Sequence, residues 1–190
     1  MAADDPRARR TRASLRAAAL ALAGEQDPAS LTLSAVASRA GVNRATVYLH
    51  YPDLDALFAD AMEEAVVTVA RATARCPLDA PPGSAPPPLV DLFEHVAAHA
   101  TLYARMLGPQ GSARFAVRLR EALAGALLER FGDGNRSAGA DGVPLPVHAA
   151  YLAGALSGVI AHCAVQEEAP AGAARATWRL LAATPVPSRA

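Results

Sequence analysis

The sequence has no lysine and only two cysteines, Cys76 and Cys163, among its 190 residues. The cysteines are far apart and lack the close spacing of a zinc site, which favours two unpaired thiols in a reducing compartment. A signal peptide is not expected either, because Arg16 interrupts the apolar stretch of residues 15–23. We therefore predict a cytoplasmic protein whose core needs no disulfide.

Long uninterrupted apolar runs are also lacking. Even the stretch from Val147 to Val165 contains His148, Ser157 and His162, so no membrane span is expected. Enzyme motifs are missing as well, because Ser157 lacks the glycine two positions earlier that a nucleophile elbow needs, and no glycine-rich loop precedes a lysine. We predict a soluble protein that is not an enzyme and has no cofactor.

The charge is unevenly distributed along the chain. The formal net charge is zero, which by itself argues against nucleic acid as a partner. From Arg7 to Arg44, however, seven arginines are opposed by only Glu25 and Asp27, which gives this window a net charge of +5. A local cationic surface is what phosphate binding requires, whatever the rest of the molecule carries. The seven arginines are Arg7, Arg9, Arg10, Arg12, Arg16, Arg39 and Arg44.

Apolar residues recur at helical spacing throughout, and no run alternates as a strand would, so we predict an all-α fold. The first helix is expected from Pro6 or Arg7 to Ala23, with Gly24 ending it. Thr32 is expected to cap a second helix that Gly41 stops. A third, short helix is expected over residues 44–50, before Pro52 forces a break. The predicted inward faces are Leu15, Ala18, Ala19 and Leu22, then Leu33, Val36, Ala37 and Ala40.

Longer helices are predicted for the rest of the chain. Asp53 is expected to cap a helix reaching about Arg75, and further helices are expected over residues 89–107, 112–131, 147–167 and 171–183. The proline-rich residues 76–88 are predicted to be a linker, residues 132–146 a mobile segment and residues 184–190 a frayed end. We place a domain boundary after residue 52, with residues 53–190 as the second domain.

Residues 36–47 have the composition of a helix-turn-helix. Such a motif needs a small residue where its helices touch and a residue that tolerates positive φ at the corner, which Ala37 and Gly41 supply. The helix after the corner would then point a mixture of hydrogen-bonding groups and apolar groups outward, which suits phosphates and base edges. This outward set is Asn43, Arg44, Ala45, Thr46, Tyr48, Leu49 and His50.

The run from Leu33 to Leu57 closely resembles the signature of the TetR family of bacterial transcriptional regulators. It has the Ala-x-x-Ala-Gly-Val turn, then Thr-x-Tyr-x-His-aromatic, a short loop and an apolar helix. Residues 7–22 resemble the first helix of that family. The resemblance covers the first third of the chain, and the remainder agrees in being helical and of suitable length. It implies an N-terminal three-helix DNA-binding domain followed by a helical effector-binding and dimerisation domain.

The resemblance also implies roles at the DNA backbone. Thr32 would cap the second helix against a phosphate, so that the helix dipole adds to the contact. Three residues of the third helix, Thr46, Tyr48 and His50, match positions that usually hold the backbone. The complete predicted DNA-binding set is Arg9, Arg12, Thr32, Asn43, Arg44, Ala45, Thr46, Tyr48, Leu49 and His50.

Base recognition is implied for three positions of the third helix. Arg44 could contact guanine through O6 and N7, and Ala45 or Leu49 could meet a thymine methyl group. One position departs from the family pattern, because Leu54 stands where a lysine commonly touches a phosphate. That departure leaves one backbone contact of the family without a matching residue.

A dimer is expected, because a single helix-turn-helix reads one half-site and two such helices must lie ~34 to 36 Å apart. Ala150, Gly154 and Gly158 repeat at i, i+4 and i+8, giving a smooth stripe that another helix can approach closely. Trp178 and Leu181 of the last helix could complete a four-helix interface with the second copy. The alternative is that the stripe packs inside one subunit.

Polar and aromatic residues on the apolar faces of the later helices suggest a ligand pocket. In the TetR family such helices enclose a small-molecule cavity, and this mixture suits a mainly apolar effector held by a few hydrogen bonds. A filled core with satisfied histidines is the alternative. The candidate lining residues are Phe93, His95, His99, Tyr103, Met106, Phe115, Leu119, Tyr151 and His162.

We therefore predict a ligand-responsive repressor that is released from a palindromic operator by its effector. An activator, or a regulator without a ligand, is the alternative within the same fold. A metal sensor or helical enzyme built on Asp91, His95 and His99 is a weaker alternative, because three collinear residues over two turns do not easily reach one ion. A nonspecific DNA-compacting protein is disfavoured by the neutral net charge.

Overall fold

The computed structural model describes residues 5–26, 30–77, 80–81, 83–109, 111–131, 142–166 and 168–183. Within these ranges the chain forms ten α-helices and no strand, which confirms the predicted all-α fold. The helices are α1 Pro6–Glu25, α2 Leu33–Ala40, α3 Arg44–His50, α4 Leu54–Ala61, α5 Glu63–Arg75, α6 Pro87–Ala98, α7 Ala100–Leu107, α8 Ala113–Phe131, α9 Leu145–Gln166 and α10 Pro170–Ala183.

The first three helices pack around a small apolar core. The predicted inward face of α1 is confirmed, since Leu15, Ala18, Ala19 and Leu22 are all buried there. On α2 and α3 the buried residues are Leu33, Val36, Ala37 and Val47, whereas Ala40 is half-buried. Gly24 does not end α1 as predicted. The helix continues to Glu25, and the extended backbone of Gln26 ends it while the Gln26 amide still donates to the Leu22 carbonyl.

Two of the long predicted helices are each divided in two. The expected helix from residue 54 to Arg75 bends at Met62, where φ is −89° and ψ is 1°. The expected helix over residues 89–107 breaks at His99 and begins earlier, at Pro87. Apolar spacing continues across both breaks, so periodicity alone does not reveal them. The early start is permitted because proline at the first helical positions loses no hydrogen bond.

The second half of the chain is a helical bundle with α8 and α9 at its centre. α5 packs on α8, α7 on α9 and α10 on α6, and the large buried side chains Phe93, Tyr103, Phe115 and Leu119 fill the interior. Long, apolar α9 could cross a membrane by length and composition alone, contrary to the expectation from the sequence. Half of its most apolar window is buried within the protein, and a single such helix is weak evidence of a membrane span.

Three segment predictions fall partly or wholly outside the described residues. In the proline-rich linker, the described residues 76–77, 80–81 and 83–86 are not helical, which confirms the break there. Residues 132–141 of the glycine-rich segment and residues 184–190 at the end lie outside the described ranges. The domain boundary after residue 52 stays a prediction; α4, which follows it, packs directly on α1.

Candidate nucleic-acid interface

The corner between α2 and α3 forms as the sequence predicts. The Thr32 hydroxyl accepts a hydrogen bond from the Ala35 amide at 3.1 Å, so Thr32 caps α2. Gly41 adopts the left-handed conformation, with φ 64° and ψ 29°. The amides of Gly41 and Val42 donate back into the last turn of α2, which satisfies carbonyls that the helix end leaves unpaired. This corner directs α3 away from α2 after only three residues.

α3 presents one side to the core and the other to solvent. Its start is capped by Asn43, whose side-chain oxygen accepts a hydrogen bond from the Ala45 amide at 2.9 Å. Val47 is completely buried, while Tyr48 and Leu49 are 49% and 83% exposed. Of the other predicted contact residues on α3, Arg44 and Ala45 are exposed, and Thr46 and His50 are half-buried. The outward side thus combines donors with a large apolar group.

Arg44 lies along the outer surface of α3, one turn before Tyr48. Its guanidinium donates to the Tyr48 hydroxyl at 3.4 Å, and its central carbon lies 5.8 Å from the centre of the Tyr48 ring. The ring and the hydroxyl together limit where the guanidinium can point. Arg44 therefore lies on the protein surface with its guanidinium directed toward Tyr48.

A hydrogen-bonded group behind α3 connects it to two other helices. The Tyr51 hydroxyl donates to the Asp60 carboxylate of α4, and Arg16 of α1 lies 3.5 Å from the other carboxylate oxygen. Tyr51 is 5% exposed, and this burial, followed by the Asp60 carboxylate, raises the pKa of Tyr51. Sequence reasoning missed this group, because Arg16 and Asp60 are 44 residues apart and no motif joins them.

Pairing modifies the cationic surface that the sequence predicts. Arg39 makes two hydrogen bonds to the Glu25 carboxylate, at 2.8 and 2.5 Å, and so ties α2 to the end of α1. Arg16 likewise lies beside the Asp60 carboxylate. On α1, Arg9 is exposed and Arg12 is half-buried. Carboxylates thus offset part of the positive charge that the sequence places in this window.

The predicted interface stripe is accessible on α9, but the prediction for Trp178 is wrong. Ala150 and Gly158 are exposed, Gly154 is half-buried, and an added Cβ at either glycine would meet no atom within 4 Å. Trp178 is 1% exposed and its indole N–H donates to the Pro81 carbonyl at 2.9 Å, inside the subunit. Leu181 is half-buried. The apolar side chains that do project from α9 and α10 are Val147, Tyr151, Val165 and Leu180.

The predicted pocket residues divide into an inner and an outer group. Phe93, Tyr103, Met106, Phe115 and Leu119 are buried and belong to the core cluster. His95 is half-buried next to them, and its ring centre lies 6.1 Å from that of Tyr103. Tyr151 and His162, in contrast, are exposed on α9 and do not join the inner group, so their prediction as lining residues of the same pocket is wrong.

Two buried polar atoms of the inner group, His95 Nε2 and the Tyr103 hydroxyl oxygen, have no hydrogen-bond partner. Burial, followed by the neighbouring His99, lowers the pKa of His95, whose ring centre is 4.5 Å from that of His99. Among the described residues, no group of three potential metal ligands comes together. The structure thus offers His95 and Tyr103 as hydrogen-bonding groups facing an apolar interior.

A cleft of about 530 Å³ lies elsewhere, between the first helix and the bundle. It is lined by Leu20 and Gly24 of α1, residues 97–102 at the junction of α6 and α7, Cys163 of α9 and residues 168–170 before α10. Of the predicted pocket residues, His99 lines this cleft. The position of the cleft could not be predicted from the sequence, because four separate segments of the chain form it.

The comparisons with known proteins agree with this architecture. Residues 15–61 match the family described as bacterial regulatory proteins, tetR family. A TetR transcriptional regulator from Rhodococcus sp. RHA1 is 18% identical, with a TM-score of 0.62 over 91% of this chain and 96% of that one. No curated protein matches in a sequence comparison.

Two further solved structures have the same fold. The TetR-family repressor AlkX from Dietzia sp. strain DQ12-45-1b, implicated in biodegradation of n-alkanes, is 18% identical, with a TM-score of 0.61 over 90% of this chain and 94% of that one. Thermus thermophilus FadR, a TetR-family repressor in complex with lauroyl-CoA, is 20% identical, with a TM-score of 0.59 over 90% and 92%.

The helix-turn-helix, the arginine-rich helix before it and the bundle behind them define an all-α protein of the helix-turn-helix class. Residues 15–61 match the TetR family of bacterial regulatory proteins, and the chain as a whole has the fold of solved TetR-family transcriptional regulators.

Proposed function

We propose that this protein is a homodimeric transcriptional repressor that binds a palindromic DNA operator and is released by a small, mainly apolar effector. The observation that carries the proposal is the outward side of α3, where Arg44, Tyr48 and Leu49 project from a helix fixed at both ends. A helix presented in this way fits the major groove of B-DNA. Such a regulator would act in the cytoplasm.

Contacts to phosphates and to bases would come from different residues. Arg9 and Arg12 of α1, Thr32 at the start of α2, and Thr46 and His50 of α3 would hold the DNA backbone, with Asn43 and Tyr48 beside them. Arg44 would donate two hydrogen bonds to a guanine, and Ala45 and Leu49 would meet apolar base edges. At the start of α4, Asp53 caps the helix by accepting a hydrogen bond from the Ala56 amide at 2.7 Å. The next residue, Leu54, has an apolar side chain and would add no phosphate contact there.

The dimer would form through α9 and α10. In support, Ala150 and Gly158 are exposed there, and Tyr151 and Leu180 project into solvent at 62% and 67% exposure. Burying such side chains against a second copy is favourable at about 25 cal/mol per Å² of apolar surface. A symmetric interface would place two copies of α3 on one side of the pair.

An effector site is supported by two features of the chain. The buried His95 Nε2 and Tyr103 hydroxyl lack protein partners, and a cleft of pocket size adjoins α1. Thermus thermophilus FadR, which shares the fold, was solved in complex with lauroyl-CoA, a molecule with a long apolar chain. A mainly apolar effector is the class that these features favour.

The test is selection of bound duplexes from a random DNA pool by the purified protein, combined with its molar mass from light scattering. The proposal predicts a dimer and a selected sequence with two inverted half-sites about 10 base pairs apart or a multiple of that. A monomer that enriches no common sequence would contradict it. The matched control is a triple variant, Arg44→Ala with Tyr48→Ala and Leu49→Ala. These three side chains are exposed, so their truncation should keep the fold while removing the proposed base-contacting side of α3.

A further inference from the structure

We propose that the cleft between α1 and the α6–α7 junction is a binding site for a small organic cation with an apolar body. The cleft, of about 530 Å³, falls within the 300–1,000 Å³ range of small-molecule sites. It is separate from the inner group around Tyr103, although His99 at its edge adjoins His95. The regulatory consequence drawn below rests on the proposed function, whereas the binding itself does not.

The walls of the cleft favour an apolar ligand. Leu20 of α1 and Leu102 of α7 contribute branched side chains, and four alanines supply small apolar surface: Ala97, Ala98, Ala100 and Ala169. Gly24 leaves further room, since an added Cβ there would meet no atom within 4 Å. Flat or branched hydrocarbon groups would bury apolar surface on both sides of such a space.

One charged side chain determines whether the cleft favours a cationic or an anionic ligand. Of the described residues that line the cleft, Glu168 is the only one that is aspartate, glutamate, lysine or arginine. Its carboxylate is 47% exposed and lies 3.6 Å from His162 Nε2, at the rim. Burial, and then the Glu168 carboxylate, raise the pKa of the Cys163 thiol in the same wall, so the carboxylate acts on groups inside the cleft.

The starts of α7 at Ala100 and of α10 at Pro170 also border the cleft and would attract an anion, whereas the end of α6 at Ala98 would attract a cation. A helix N-terminus is equivalent to about half an elementary positive charge, and its effect falls off within the first turn. The two N-termini and the one C-terminus together amount to about half a positive charge, which is smaller than the full negative charge of Glu168. A ligand cation is therefore favoured over an anion, and its charged group should lie toward residues 168–170.

The position of the site connects ligand binding to the DNA-binding helices. Leu20 and Gly24 lie in the last two turns of α1, and α1 packs on both α2 and α4. A ligand in the cleft would contact α1 on one side and the bundle on the other. If the ligand binds the DNA-free arrangement more tightly, it lowers DNA affinity by the same factor by which DNA lowers ligand affinity.

A charge series on one apolar body tests the site. We would titrate the full-length protein with 1-naphthylmethylamine, 1-naphthalenemethanol and 1-naphthoate, a cation, a neutral isostere and an anion, by calorimetry at pH 7. The amine should bind about three- to tenfold more tightly than the alcohol, with the acid weakest. Glu168→Gln should reduce the difference between amine and alcohol to within about twofold, while the exposed Glu121→Gln on α8 should leave it unchanged.

Blocking the cleft tests its location. Gly24→Leu on α1 and Ala98→Leu on α6 should each weaken binding of both amine and alcohol about tenfold or more, with unfolding temperatures close to that of the parent protein. Equal affinity for the three compounds, no binding, or undiminished binding by both leucine variants would overturn the site.

The regulatory step is measured separately on a duplex from the DNA selection. The amine should lower DNA affinity about five- to 150-fold in the parent protein and less in Glu168→Gln. Charge-selective binding with unchanged DNA affinity would overturn the coupling to DNA. A protein that selects no DNA would contradict the proposed function, while the calorimetric result would still decide the site.

Discussion

In the proposed DNA interface, Arg44 is the residue with the most direct route to sequence recognition. Its exposed guanidinium, supported by Tyr48, can donate two parallel hydrogen bonds to one guanine. Arg44→Ala should weaken operator binding by about 1–3 kcal/mol and relax discrimination at one base pair. Competition binding against a panel of single-base variants of the selected site measures this.

Arg12→Ala serves as the comparison for that experiment. A phosphate contact carries no base preference, so this variant should weaken binding to all sequences alike and reduce the salt dependence. If Arg44→Ala discriminates between the single-base variants as well as the parent protein does, Arg44 does not contact the bases.

A second residue-level prediction concerns Cys76 and alkaline pH. Burial raises the pKa of the Cys76 thiol to about 11, although the nearby Arg130 charge opposes the shift. Because the folded pKa exceeds the unfolded value, the neutral thiol stabilises the fold fully below the unfolded pKa, and this contribution is lost as pH rises through about 11. Between pH 8 and pH 10 the loss should be about 1 kcal/mol.

Urea unfolding at several pH values measures this contribution. Cys76→Ala should be less stable at pH 7 but should lose less free energy of unfolding between pH 8 and pH 10 than the parent protein. Cys163→Ala, in which Cys76 remains, should keep the loss that Cys76 causes. If the free energy of unfolding falls equally with pH in the parent protein and in Cys76→Ala, the Cys76 thiol does not contribute to the pH dependence.

At the scale of elements, Tyr51 joins the end of α3 to α4 and, through Asp60, to α1. Tyr51→Phe removes the hydroxyl that donates to a carboxylate while keeping the buried ring. The free energy of unfolding should fall by about 1.5–3 kcal/mol, the range for hydrogen bonds to charged groups. Chemical denaturation of this variant beside Tyr48→Phe provides the test, because Tyr48 is half exposed and its substitution should change stability little.

The α2–α3 corner gives a second prediction at this scale. Gly41 has φ 64°, and an added Cβ would meet no atom within 4 Å, so Gly41→Ala tests the backbone conformation without a steric clash. A left-handed alanine should destabilise the corner by about 1–2 kcal/mol, lowering the unfolding temperature by about 2–4 °C per kcal/mol.

Gly125→Ala is the matched control for the corner. Gly125 lies inside α8, where an added Cβ also meets nothing within 4 Å, and alanine there should stabilise the protein by about 0.5–1 kcal/mol. The two substitutions should therefore shift thermal unfolding in opposite directions. A shift of the same sign in both would mean that backbone conformation at Gly41 is not the cause.

At the scale of the whole molecule, the proposed dimer is the decisive assembly. Tyr151 is 62% exposed on α9, so Tyr151→Glu should leave the subunit folded while placing a charge within the proposed interface. We expect a monomer by light scattering and loss of specific DNA binding, because one half-site alone supplies too little affinity.

Leu49→Glu provides the comparison at this scale. Leu49 is an exposed apolar side chain outside the proposed interface, 83% exposed on α3, and its substitution should leave the dimer intact while weakening DNA binding. A Tyr151→Glu protein that stays dimeric would place the interface on another surface.

Local chemistry explains which parts of the fold the sequence could predict. Thr32, Gly41, Asn43 and Asp53 act on neighbours within five residues, through caps and one left-handed turn, so the ends of α2 and α3 follow from the sequence. The same holds for the inward face of α1. The break at Met62 was not predictable, because helical spacing of apolar residues continues through it.

The sequence by itself determined an all-α chain with a helix-turn-helix near its start and a cationic first helix, because composition, caps and periodicity act locally. Only the tertiary structure decided which apolar faces are used inside the subunit. It buried Trp178, left Tyr151 and His162 in solvent, and paired Arg16 and Arg39 with carboxylates. The cleft beside α1 belongs to this second group, since residues distant in sequence meet there through helix packing, which no local pattern encodes.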